Sequence, residues 1–322
     1  MKIRAFAPAS AGNFLIGFDT LGAAFASMDQ ELFGDIVTIE ENSEAAIEVT
    51  GRYAHKLPND PNKNIVTLCR NFFHDHLATK GITRKNFILG LEKCLPICSG
   101  LGSSGASIVA TLVALNEFYG HVFTKNELLI FAGEMEKTVS GSIHYDNVAP
   151  SLLGKLQLIT SNKKQLSETL PFFDDWFFVV YYPGIEVSTC RAREILPETF
   201  SLPVVTNYWQ KLASFVHGLY RQDKALVASL LQDDLIEPYR STLVPEFAEI
   251  RAISFASGAF AFGLSGSGPT CLAITDSLEN ARHIQSVISD TILACPEAFC
   301  RICTLDQHGA RILKENVKHA VV

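Results

Sequence analysis

Apolar and polar positions alternate from Lys2 to Pro8 (KIRAFAP), and this period of two predicts a strand that ends at the proline. Residues 34–50 (GDIVTIEENSEAAIEVT) predict two strands with a turn at 41–43. After the turn NDPN, residues 62–77 take helical spacing, and 86–91 return to strand spacing. From Ser103 to Tyr119 apolar residues recur at i, i+3 and i+4 behind a start of small residues, which predicts a buried helix. Thr124 and Glu127 form a capping-box pair that opens another helix, to about Ser140. The pattern restarts after Gly154. Strands are predicted at 155–160, 176–182, 259–264, 270–275 and 300–305, with mostly helix over 205–256 and an amphipathic helix at 278–292. The class is α+β, and the seam between two domains is expected near 155–170, dividing 1–165 from 166–322.

At 322 residues the length suits two domains. Apolar residues make up 48% and charged residues 19%, enough for real cores and too little charge for disorder. The formal net charge is −7 with no long basic run, so a nucleic-acid backbone is not the expected partner. No apolar stretch is long enough for a bilayer, and residues 1–19 lack the h-region of a signal peptide. A cytoplasmic protein without membrane attachment is expected. In that setting the eight cysteines read as small apolar residues. Cys300 and Cys303 could form half a zinc site, but no second pair completes it.

The most informative stretch is Pro96-Ile97-Cys98-Ser99-Gly100-Leu101-Gly102-Ser103-Ser104-Gly105. Its glycines match G-x-G-x-x-G, yet a proline-containing loop separates it from the preceding strand. About 20 residues on stands a helix start, where a dinucleotide fold places an acid at a strand end. A Walker A string occurs nowhere. The physical parts of a phosphate cradle are present all the same: glycines for close backbone approach, two serine hydroxyls, and the positive end of a long helix. Taken alone, the stretch reads equally as a tight turn with a serine helix cap.

Pro96-x-x-x-Gly100-Leu101-Gly102-Ser103-Ser104 resembles the phosphate loop of the GHMP kinases. Two further strings of that family stand in order: Pro8-Ala-Ser10-Ala-Gly-Asn13-Phe-Leu-Ile-Gly17-Phe18-Asp19-Thr20-Leu21-Gly22, and Gly263-Leu-Ser265-Gly266-Ser267-Gly268-Pro269-Thr270. Within the family the strings 17–22, 144–154 (HYDNVAPSLLG), 192–197 (AREILP) and 237–245 (EPYRSTLVP) resemble those of homoserine kinases. Two departures stand out. Phe14-Leu15-Ile16 replaces a stretch that usually contains Gly-Pro, which should stiffen or reshape that loop, and Lys155 replaces a common second glycine.

The resemblance implies a two-domain fold: an N-terminal ribosomal-protein-S5-like βαβ domain with a left-handed crossover, and a C-terminal ferredoxin-like α/β domain. It implies ATP and Mg²⁺ as cofactors, L-homoserine as acceptor, O-phosphohomoserine for threonine synthesis as product, and a homodimer. Carried over position by position, the loop 96–106 (Pro96, Ile97, Cys98, Ser99, Gly100, Leu101, Gly102, Ser103, Ser104, Gly105, Ala106) would hold the ATP phosphates. Ser104 and Glu136 would ligate the metal, although Glu136 could be an ordinary helix-surface acid. Asn64 matches a region that contacts adenine, or else caps a helix. Arg193 and Arg240 match positions for a substrate carboxylate, whose geometry suits guanidinium. Asn13 and Asp19 would face the ammonium and the hydroxyl, His144 would touch substrate, and Gly266 would let backbone approach it. Asp146 and Asn147 align with a pair in which some members place a catalytic aspartate. Phosphoryl transfer through a loose transition state asks little of a base, so both are read first as positioning residues. Another GHMP kinase with a different small alcohol, or a silent ligand sensor, is the alternative.

Overall fold

The computed structural model describes residues 1–162, 164–292 and 295–314. In chain order the elements are β1 (Lys2–Pro8), β2 (Ser10–Gly12), β3 (Leu21–Ser27), β4 (Gly34–Glu41), β5 (Ala46–Thr50), α1 (Ile65–Thr79), β6 (Phe87–Glu92), α2 (Ser103–Phe118), α3 (Lys125–Ser140) and α4 (Val148–Leu153). They continue with β7 (Leu156–Ile159), β8 (Ser167–Leu170), β9 (Phe177–Tyr182), α5 (Thr189–Glu194), α6 (Leu202–Arg221), α7 (Lys224–Leu230), α8 (Glu237–Arg240) and α9 (Phe247–Ala256). The last are β10 (Ala261–Leu264), β11 (Cys271–Thr275), α10 (Leu278–Ile292), β12 (Phe299–Leu305) and β13 (Arg311–Ile312). Mixed helix and strand in this order make an α+β fold. Among the described residues no helix is long and apolar enough to cross a membrane.

Two sheets carry the fold. The first has the order β13-β1-β4-β6-β5. The strands of residues 34–50 both form, but they do not pair with each other. β6 lies between them, antiparallel to β4 and parallel to β5, and the long connection that a parallel pair requires holds α1. The second sheet has the order β10-β11-β9-β12-β3-β7-β8, with β2 paired to β3. β3, from the start of the chain, lies between β12 and β7, so strands from both sides of residue 165 share one sheet. β2 and β3 escaped the sequence pattern for a physical reason. Their residues are small or apolar and buried on both faces, so no alternation marks them.

α2 is the central helix and packs on β1 and β4. Thirteen of its 16 residues are buried, so it is apolar nearly all round rather than striped. Its N-terminus is pinned from below by a buried ion pair. Asp35, at the start of β4, is fully buried, and Lys93 is 2% exposed. The Lys93 ammonium donates to Asp35, to the Ser103 carbonyl at 2.8 Å and to Ser107 Oγ at 2.9 Å. Asp35 also accepts the amides of Cys94 and Leu95 at 2.9 and 3.0 Å. The pair thus ties the sheet to both ends of the glycine loop.

Breaking a buried pair leaves an uncompensated charge. Lys93→Met is therefore expected to lower unfolding free energy by about 3–5 kcal/mol in urea titrations. Lys2→Met, which removes an exposed partner of Glu40, is expected to change it by less than about 1 kcal/mol.

Candidate active site

The three glycine-bearing loops meet at one point. Ser10 N–H donates to the Leu101 carbonyl at 3.1 Å, Gly266 N–H to the Gly12 carbonyl at 3.0 Å, and Thr270 N–H to the Ser99 carbonyl at 3.0 Å. Ser265 Oγ adds a bond to the Gly100 carbonyl at 2.6 Å. Such close backbone approach leaves no room for side chains. At Gly100, where φ is +83°, a Cβ would lie 2.3 Å from the Ser265 carbonyl oxygen. At Gly102, where φ is +62°, it would lie 2.0 Å from Ser10 Oγ.

A cleft of about 300 Å³ opens beside this junction. The glycine loop lines part of it, through Ile97, Cys98, Ser99, Gly100, Gly102, Ser103 and Ser104. Gly102 is the N-cap of α2 and supplies no side-chain cap. The first intrahelical bond runs from Ala106 N–H to the Gly102 carbonyl, so the three preceding amides lie before the ladder, at the helix's positive end. Pro96, Leu101, Gly105 and Ala106 support the loop without lining the cleft. Leu101 and Ala106 are fully buried.

Beside the loop, Ser104 Oγ donates to both oxygens of the Glu136 carboxylate at 3.0 Å. Glu136 is 9% exposed and belongs to the interior, not to a solvent face. Burial pushes its carboxyl up to about 7, against the pull of Ser104 and Lys93. A serine hydroxyl and a carboxylate starved of solvent are hard oxygen donors, and they fit a small hard divalent cation. Lys63, Ile65, Leu57, Pro58 and Val139 line another part of the cleft. Asn64 does not line it. Its side chain caps α1, accepting Val66 N–H at 3.1 Å, while its two neighbours face the opening.

The cleft also carries paired charges. Arg193, on α5, donates to both oxygens of Asp19 at 2.9 and 3.0 Å. His144 Nδ1 lies 3.6 Å from Asp19, and its Nε2 bonds Ser142 Oγ at 2.6 Å. Burial pulls the His144 imidazole below its usual range. Arg240 is 3% exposed, and its donors reach the carbonyls of Ala192 at 3.0 Å and Gly266 at 3.1 Å. Asn13 acts as a brace, with Nδ2 on the Gly266 carbonyl at 2.9 Å and Oδ1 on the Asp19 amide at 3.0 Å.

Asp146 and Asn147 sit against the junction and line the same cleft. Asp146 accepts the Asn13 amide at 3.2 Å, and Asn147 accepts the Gly12 amide at 3.1 Å. Burial, with Asp19 and Glu136 adding like charge, pushes the Asp146 carboxyl up to about 7. Ligand atoms of Asp19, His144 and Asp146 lie within 4.8 Å of one another.

Two stretches of this chain match family models: GHMP kinases N terminal domain over residues 64–155, and GHMP kinases C terminal over 215–292. The crystal structure of homoserine kinase from Cytophaga hutchinsonii superposes with a TM-score of 0.86 at 33% identity, covering 97% of each chain. The chain belongs to the GHMP kinase family. Other members share the fold at lower identity. L. major mevalonate kinase in complex with R-mevalonate matches at 18% identity and TM-score 0.68, covering 93% of this chain and 94% of that one. Streptococcus pneumoniae phosphomevalonate kinase matches at 13% and 0.68, covering 97% and 99%. GHMP kinases are phosphotransferases that use ATP, and a glycine loop at a helix N-terminus suits that chemistry.

Sequence reasoning missed the apolar wall formed by Leu57, Pro58, Ile65 and Val139, and Thr189 beside Arg193. None carries chemistry by residue type, and Leu57 and Pro58 lie in irregular backbone, so no periodic signal marked them.

In this GHMP kinase the buried carboxylate of Glu136 lowers stability. A folded-state value near 7 against an unfolded one near 4.5 disfavours folding once pH rises above about 4.5, and fully so above about 7. Glu136→Gln is expected to stabilise the metal-free protein by about 1–3 kcal/mol at pH 8. Little gain is expected at pH 5. Thermal unfolding at the two pH values checks this.

Proposed function

We propose that this kinase phosphorylates the hydroxyl of L-homoserine from MgATP, giving O-phospho-L-homoserine for threonine synthesis. One observation carries the reading: Asp19, Arg193 and Arg240 line the same cleft as the glycine loop, with Asp19 paired to Arg193. An acid beside two guanidiniums complements an α-amino-acid zwitterion. The substrate carboxylate would take Arg193 and Arg240, and the ammonium would take Asp19. In the empty site Arg193 and Asp19 satisfy each other, and a zwitterion replaces that pair charge for charge.

The amides at the start of α2 and the loop around Gly100 would hold the triphosphate. The apolar wall of Leu57, Pro58, Ile65 and Val139 suits a flat adenine. Ser104 and Glu136 would hold magnesium, which when bound neutralises charge on the phosphates. Asn147 and Asn13 keep the junction in register, so that the acceptor hydroxyl meets the phosphates in line. Asp146 lies at that meeting point. Its role as a positioning residue rests on the small demand that a loose transition state makes on the nucleophile. The 33% identity with a homoserine kinase over nearly the full length supports the same acceptor.

The test is ADP release from MgATP with L-homoserine, D-homoserine, mevalonate, galactose and no acceptor. Turnover confined to L-homoserine is expected. Turnover with another alcohol instead, or nucleotide binding without turnover on any, would replace this reading with a different acceptor or with a ligand sensor. Asp146→Asn is expected to lower kcat by less than about 10²-fold, because general-base loss typically costs 10²–10⁴. A fall of about 10²-fold or more would make it the base.

A further inference from the structure

We infer that Phe18 and Tyr208 are positioning residues that hold the two guanidiniums of the acceptor end in a shared orientation. Resting on the proposed acceptor site, this inference deepens it: recognition of a carboxylate by Arg193 and Arg240 depends on two groups that need not touch substrate. Phe18 is not among the residues that line the cleft. Its ring instead lies against both arginines, with Arg193 Cζ 5.4 Å and Arg240 Cζ 5.2 Å from its centroid. Both distances fall within the roughly 6 Å reach of a cation–π contact.

Two guanidiniums aimed at one place repel, and the charge of Arg193 is one of the causes that lower the Arg240 pKa, after burial. Asp19 pairs with Arg193, whereas the hydrogen bonds of Arg240 go to the carbonyls of Ala192 and Gly266. Among the described residues buried Arg193 Nε has no hydrogen-bond partner. The ring therefore supplies both cations with an apolar, electron-rich surface that leaves donor edges free for a ligand.

A platform works only if it is fixed. Phe18 follows Gly17, whose amide donates to the Asn13 carbonyl at 2.7 Å. It precedes Asp19, whose amide donates to Asn13 Oδ1 at 3.0 Å and whose φ is +54°. The Phe18 carbonyl accepts Thr20 Oγ1 at 2.9 Å. The remaining group, its own amide, donates to the hydroxyl of Tyr208. Tyr208 comes from α6, 190 residues further along the chain, and burial raises its phenol pKa. The loop that carries Asp19 is thereby tied to a helix of the other half of the chain. Tyr208 sets the height of Phe18, and Phe18 sets the two arginines.

The experiment compares wild type, Phe18→Leu and Tyr208→Phe in two readouts. Steady-state kinetics use L-homoserine and its analogue with the carboxylate reduced to an alcohol. Phe18→Leu is expected to raise KM for L-homoserine about tenfold, with kcat and the KM for ATP changed less than about twofold. Tyr208→Phe is expected to act in the same direction by about threefold to fivefold. For the alcohol analogue kcat/KM should not change, because it makes no demand on the arginines. A merely structural defect would depress both acceptors and ATP together, and that result overturns the inference.

The second readout needs no acceptor. Phenylglyoxal labelling of Arg193 and Arg240, followed by peptide mass spectrometry, should accelerate at least threefold in Phe18→Leu. If wild type shows no turnover of L-homoserine, the proposed acceptor is wrong and labelling alone decides the platform. Unchanged labelling at both arginines overturns it.

Discussion

Three loops far apart in sequence share a small set of backbone hydrogen bonds, and the site depends on that junction. Leu101 to Ser10, Gly12 to Gly266 and Ser99 to Thr270 are contacts of main chain with main chain. They explain why glycines recur there. The constraint is distance between backbones, and any Cβ at Gly100 or Gly102 would sit where another loop already is. The Asp35–Lys93 pair fixes the phosphate loop from the sheet side, and the junction fixes it from the other. What remains open is the face with α2's first amides and the charged side chains that line the cleft.

Those charged side chains are groups that the fold alone would not choose. Glu136 and Asp146 are carboxyls held up near 7 by burial, and Asp19 is matched internally by Arg193. Buried charge of this kind lowers stability and poises a site for charged ligands. Backbone strain is concentrated nearby. Asn13, Phe14 and Leu15 take positive φ in succession, at +65°, +41° and +61°. Three non-glycine residues in that region are costly, and packing offsets the cost. Phe14 is fully buried against Phe172 and Phe178, and Leu15 and Ile16 are 2% and 1% exposed. The bulky Phe14-Leu15-Ile16 segment is therefore an anchor that drives the turn into the core and presents Asn13 and Asp19 on its far side.

Legibility followed the physics of each segment. Regular elements with one solvent-facing side were readable: β1, α1, α3 with its Thr124 capping box, and α10. The glycine loop at the start of α2 was readable because its glycines and serines have fixed spacing before a buried helix. β2 and β3 were not, since burial on both faces erases alternation. The placement of β6 between β4 and β5 was not, since pairing across α1 leaves no local mark. Phe18 stood inside a quoted string without a role, because its meaning lies in two arginines some 175 and 222 residues away. Asn64 shows the converse: its neighbours Lys63 and Ile65 line the cleft, while its own side chain serves the helix cap.

Hydrogen exchange at the amides of Ser10, Gly266 and Thr270 in the ligand-free protein tests the central claim most directly. If the junction is a permanent part of the core, all three exchange as slowly as amides of β4 and the interior of α2, through near-global opening. Exchange at the rate of exposed loop amides, slowing only when nucleotide is added, would contradict it, because the site would then be assembled by its ligand and not by the fold.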